Sequence, residues 1–130
     1  MNASTMHSNT TLADGGHIQS GDQLLSASSV TGDEVHNLEH ENLGTIYEIM
    51  LNVTDGRIRY AVLSCGGFLG MGERYFAVPW KALKLDKENK RFVLDVDAKR
   101  LKDAPGFDKD QWPNMADPAW SSSVDDYYAR

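Results

Sequence analysis

One cysteine, four prolines and no long apolar run are what this 130-residue chain conspicuously has little of. The single Cys65 can form neither an intrachain disulfide nor a four-thiolate zinc site, so disulfide-scaffold classes drop out. No apolar stretch approaches the ~20 residues that a bilayer-spanning helix needs. Positive charge is also short: 13 Lys and Arg face 19 Asp and Glu, a formal net charge of -6. The imbalance sits at the ends. Residues 1–23 carry two acids and no Lys or Arg, and residues 102–130 carry six acids against three bases, whereas residues 24–101 hold eleven acids and ten bases. A basic tail for generic nucleic-acid backbone binding is therefore absent, which leaves only a local patch in the middle segment. Residues 1–23 also lack the charged and apolar regions of a signal peptide, and the expected location is the cytoplasm.

What is present is globular composition, 41% hydrophobic and 25% charged. Its length fits one small domain with tails. The expected division is a flexible N-terminal tail over 1–23, a domain over 24–101 and a C-terminal arm over 102–130. Leu24 to Val30 reads as a first strand, or a strand leading into a turn at Thr31-Gly32-Asp33. Val35-His36-Asn37 gives a second short piece. Thr45 to Val53 is rich in β-branched and aromatic residues, although Ile46, Ile49 and Met50 also fit helical spacing. The Asp55-Gly56 pair after it, followed by the alternation of Ile58, Tyr60 and Val62, favours an antiparallel hairpin of Thr45–Val53 with Arg57–Cys65. The second face of that last strand starts charged, at Arg57 and Arg59, and ends apolar.

Four glycines in Gly66–Glu73 interrupt the pattern. Tyr75 to Trp80 resumes it, with Pro79 confined to an end or edge. Trp80 to Leu85 is a helical turn or a bent continuation, Asp86 to Lys90 a polar turn, and Phe92, Leu94 and Val96 mark the clearest strand. Ala98 to Asp103 leaves the sheet as a helical turn. Five to seven short strands in ~80 residues mean an all-β barrel or sandwich. The arm holds three of the four prolines and two of the three tryptophans. It shows no periodic element before a last helical turn near Ser121 to Asp126. Its aromatic content is nevertheless too apolar for a free tail, so Trp112 and Trp120 are expected to be mostly buried against the barrel or a partner chain.

The order Leu24-Leu25-Ser26-Ala27, Gly44 with Thr45–Val53, Gly56 to Ser64, Gly66-Gly67-Phe68-Leu69-Gly70 and Tyr75 to Trp80 resembles the PRC-barrel domain, over roughly residues 24 to 96. Phe107-Asp108, Trp112-Pro113 and Trp120 are similar to the tail of stand-alone bacterial members. The resemblance implies an all-β, six-stranded barrel, here with an irregular, aromatic-rich C-terminal extension. It implies no catalytic residue and no cofactor. Relatives such as the cytoplasmic domain of the photosynthetic reaction centre H subunit, and a domain of a ribosome-maturation factor, act through protein–protein contacts.

Chemical motifs are weak on their own terms. The Gly66–Gly72 loop runs into Glu73 where a phosphate loop needs Lys, and a strand follows where a nucleotide fold needs a helix. His36, Glu39, His40 and Glu41 have metal-ligand chemistry, but Asn37 stands where a zincin has Glu, and a solvated polar loop is the plainer reading. Cys65 closes an apolar strand and fits a core position. Arg57, Arg59 and Tyr60, with Arg74, Lys81 and Lys84, are either a nucleic-acid patch or ordinary outer-face charges. The expectation is a non-enzymatic protein without metal or cofactor, acting by protein contact or as an oligomeric scaffold. A homodimer is expected, with Phe68, Leu69 and Met71 of the glycine loop as interface candidates beside Trp112 and Trp120. The alternatives are an RNA-associated ribosome-maturation factor and a small enzyme or metal-binding protein.

Overall fold

Ser26 opens the ordered chain as a helix cap. Its hydroxyl accepts the Ser29 N–H at 3.2 Å and starts the short helix α1 (Ala27–Val30). The expected first strand at Leu24–Val30 is therefore a helix: Ser at the cap position captures the backbone before β pairing can. The computed structural model describes residues 24–66 and 73–129, so the expected N-terminal tail and the central part of the glycine loop lie outside the described residues.

Six strands follow: β1 (Glu34–His36), β2 (Asn42–Asn52), β3 (Arg57–Cys65), β4 (Arg74–Pro79), β5 (Leu83–Asp86) and β6 (Arg91–Leu94). They form one sheet in the order β4-β3-β2-β1-β6-β5. All neighbours are antiparallel except the β1–β6 pair. The sheet curls into a half-barrel with β4 and β5 at its two edges. The β2–β3 turn works as its Asp-Gly pair predicts. Gly56 has φ +76, its N–H reaches the Asn52 carbonyl at 2.8 Å, and Asp55 accepts the Arg57 N–H at 2.9 Å. Trp80–Ala82 is a single 3-10 turn joining β4 to β5, and α2 (Ala98–Lys102) is capped by Asp97.

The concave face buries Val35, Leu43, Ile46, Leu63, Phe76 and Leu94. The convex face of β3 and β4 is buried as well. Tyr60, Val62, Tyr75 and Ala77 lie beneath Phe107 and Val124 of the arm. The change from Arg57 and Arg59 to Val62 on β3 thus marks where the arm's cover begins. At the arm's end is α3 (Pro118–Ala129), a helix of 12 residues where a single turn was expected. Asp117 accepts the Ala119 N–H at 3.0 Å, and Pro118 occupies the first helical position, where its missing donor costs nothing. Trp120, Val124, Tyr127 and Tyr128, spaced four, three and one apart, form its inward face. Arg100 of α2 locks this helix in place. Its guanidinium lies 4.3 Å from the Tyr127 ring centroid and donates to the Tyr127 carbonyl, and the Tyr127 hydroxyl returns a bond of 2.5 Å to the Arg100 carbonyl. Among the described residues no helix is long and apolar enough to cross a membrane.

Gly44 is where the curl is tightest. It has φ +145, and a Cβ there would lie 2.5 Å from the Ser64 carbonyl oxygen and 2.9 Å from the Cys65 sulfur. Backbone strain and overpacking each cost about 1–3 kcal/mol. Gly44→Ala is accordingly expected to lower the urea midpoint by the equivalent of about 2–4 kcal/mol, with a two-state transition retained. An unchanged midpoint would mean that β2 and β3 do not approach this closely.

Candidate interaction surfaces

Two parts of the surface present organised apolar groups. The first is an aromatic cluster at the loop end of the β3–β4 hairpin. Residue 47 is passed over in the β2–β3 pairing, where the register shifts between Ile46 and Glu48. The ring of Tyr47 stacks on Tyr75 at 4.9 Å, and Trp112 lies 6.3 Å from each of them. Phe107 supports Trp112 at 5.2 Å and is itself fixed by paired backbone bonds with Tyr75, of 3.0 and 2.9 Å. Gly106 allows that approach, since a Cβ there would lie 2.8 Å from the Phe76 ring. The outermost rings stay partly in water, Tyr47 at 42% and Trp112 at 36% exposure. Trp112 is thus less buried than its size suggested, because it forms the outer layer of the stack. Trp120 is half-buried and meets Tyr60 edge-on at 5.2 Å. Beside this cluster Ser64 donates to Glu73 at 2.9 Å across the base of the glycine loop. Phe68, Leu69 and Met71 belong to that loop and lie outside the described residues.

The second surface is the open mouth of the half-barrel. A groove of about 360 Å³ runs between Leu24, Leu25, Ile49, Ile58, Trp80 and Leu85. Its floor is the concave core, reached through Phe92 and Val30. Leu24, Leu25, Leu51 and Val53 are exposed around it and at the neighbouring hairpin tip. None of these four was singled out from sequence. Leu51 and Val53 lie within a segment read as a strand, and two register shifts in the β2–β3 pairing, at Ile46/Glu48 and Met50/Leu51, break the parity that would assign them a face.

The chemically suggestive residues are committed to structure. His36 stands on β1. Arg91 donates to His36 Nδ1 at 3.3 Å and to His40 Nδ1 at 3.1 Å. An acceptor role for Nδ1 leaves the proton of neutral His36 on Nε2, which meets Glu34 at 2.8 Å. A guanidinium between the two imidazoles opposes a metal cation at the same place. Asn37 organises the turn, accepting the N–H groups of Glu39 and Glu41 at 3.0 and 2.9 Å and donating to the Glu41 carboxylate at 2.7 Å. Among the described residues no group of three or more His, Cys, Asp or Glu side chains could hold a metal ion. Cys65 is fully buried, and burial pushes its thiol up to about 12, so the reactive thiolate is suppressed at neutral pH. The Arg57–Tyr60 patch is not an open stacking platform. Tyr60 lies under Trp120, Arg59 covers its ring at 5.3 Å, and its hydroxyl meets Asp125 at 3.4 Å.

Comparison with protein families gives one match: the family model described as PRC-barrel domain covers residues 22–101. No curated protein matches the chain.

Proposed function

The chain belongs to the PRC-barrel family, and from that premise we propose that it is a non-enzymatic contact module that assembles as a homo-oligomer, in its simplest form a dimer. PRC-barrel domains generally mediate protein–protein contacts and are typically non-catalytic. The observation that carries the reading is the distribution of apolar surface. Large exposed side chains gather at the mouth of the half-barrel and at the aromatic cluster. The polar groups with chemical potential, Cys65, His36 and Tyr60, are buried and occupied by their neighbours. Exposed apolar area concentrated in this way marks contact sites. In this reading the mouth serves self-association. The aromatic end, with Trp112 outermost and Phe68, Leu69 and Met71 on the adjoining loop, faces a second protein, and Trp120 anchors the arm that carries it. The arm's Phe107, Trp112 and Trp120 support placing the chain among the stand-alone bacterial members.

Light scattering across a concentration series tests the assembly. A mass of two chains that dissociates only on dilution supports the reading. A constant 14.5 kDa up to high micromolar concentration overturns it.

A further inference from the structure

The β2–β3 hairpin outruns the sheet that holds it. β1 pairs with β2 only from Asn42 to Thr45, and Ile46 completes that side with backbone bonds to Gly32 and Asp33. β4 pairs with β3 only from Tyr60 to Cys65. Among the described residues, Glu48–Asn52 of β2 pair with β3 alone, and Arg57 and Ile58 pair with β2 alone. The outer edge of β2 is therefore unpaired along this stretch. The Ile49 N–H points to that edge, where it finds only the carboxylate of its neighbour Glu48 at 3.2 Å. The shift after Met50 skips a residue of β3, so the alternation of β2 continues and Leu51 shares the edge with Ile49. Natural proteins blunt such an edge with Lys, Pro or a covering segment. Between Tyr47 and Val53 there is no Lys and no Pro, and Leu51 and Val53 are 54% and 85% exposed.

We propose that this edge pairs with its own copy: β2 of a second chain adds antiparallel to Tyr47–Asn52 about a two-fold axis near Leu51. This deepens, and rests on, the homo-oligomer reading above. A second copy fits better than an unrelated strand because an antiparallel edge is complementary to itself under a two-fold, and both faces of the ribbon are apolar on both copies. The size is also right. Six unpaired residues span ~20 Å and two strands ~10 Å, on two faces. Together with the rim at Leu24 and Leu25, this approaches the ~800 Å² per partner of a stable pair. Glu48 is not placed against its own copy in this register, since a centre at Leu51 sets it opposite Thr54.

Charge substitution at the axis tests the pairing. Leu51→Lys and Leu51→Glu each place like charges beside the two-fold, and each is expected to halve the mass seen by light scattering at a concentration where wild type is a dimer. An equimolar mixture of the two is expected to restore the two-chain mass. Because position 51 is exposed, the melting temperatures of the single variants should stay near wild type, and Val53→Lys provides an independent variant at a still more exposed site. If both Leu51 variants remain dimeric, the hairpin is overturned and the homo-oligomer reading survives. The same holds if Phe68→Ser with Leu69→Ser is the change that dissociates the protein. If the mixture fails to recover mass, the two-fold does not pass near Leu51 and the proposed register is wrong. A monomeric wild type overturns inference and reading together.

Discussion

Ending the chain after Asp103 is expected to destroy cooperative folding, even though residues 22–101 hold the whole family match. The cut uncovers the convex side of β3 and β4, where Tyr60, Val62, Tyr75 and Ala77 are almost completely buried. It also removes Phe107, whose backbone pairs with Tyr75 on the β4 edge, and Val124, which is 1% exposed. Each large apolar side chain returned to water costs about 1.5–3 kcal/mol. Several together reach more than about 6 kcal/mol, comparable with the whole stability of a small domain. The truncated protein should aggregate or unfold without a sharp transition in urea, while the full chain unfolds in one step. A truncated form with the wild-type midpoint would show that the arm is an appendage.

The second large effect is alkaline. Burial holds the Cys65 thiol near pKa about 12, against an ordinary 9.0. Above pH 9 the unfolded chain loses that proton while the folded chain keeps it, so unfolding releases a proton and stability falls as pH rises. Below pH 9 this contribution is flat. At about 1.4 kcal/mol per pH unit, the loss grows to about 4 kcal/mol by pH 12. Tyr128 adds in the same direction, because burial raises its phenol and its hydroxyl has no hydrogen-bond partner. Cys65→Ala is expected to be less stable at pH 8 by about 1–2 kcal/mol through the cavity it leaves. Its stability should then fall less steeply, so that the two proteins converge between pH 9 and 11. Parallel curves would contradict a buried neutral thiol.

Much of the sheet was legible because its signals are local. The Asp55-Gly56 turn, the alternation of Ile58, Tyr60 and Val62, and the alternation of Phe92 and Leu94 place β2, β3 and β6 without tertiary information. The misreadings have identifiable causes. Leu24–Val30 is too short and apolar for periodicity to separate helix from strand, and only Ser26 as a cap favours the helix. In α3 the helical spacing of Trp120, Val124 and Tyr128 was present, with Asp117-Pro118 as a start signal, but nearby prolines suggested an irregular arm. The candidate surfaces were only partly legible. Trp112 announces itself by size, whereas Tyr47, Leu51 and Val53 look like ordinary strand residues. Their exposure follows from the register shifts in the β2–β3 pairing and from β1 stopping short, and both are properties of strand pairing rather than of residue type.

Amide hydrogen exchange followed as a function of protein concentration tests the account most directly, since it reports both surfaces in one sample. The account predicts that the Ile49 and Leu51 amides slow markedly as the protein passes from monomer to dimer, while Ser64, Glu73 and Arg74 at the aromatic end keep their rates. Uniform rates along β2 across a concentration range that doubles the mass, or protection that appears at Glu73 and Arg74 instead, would contradict it.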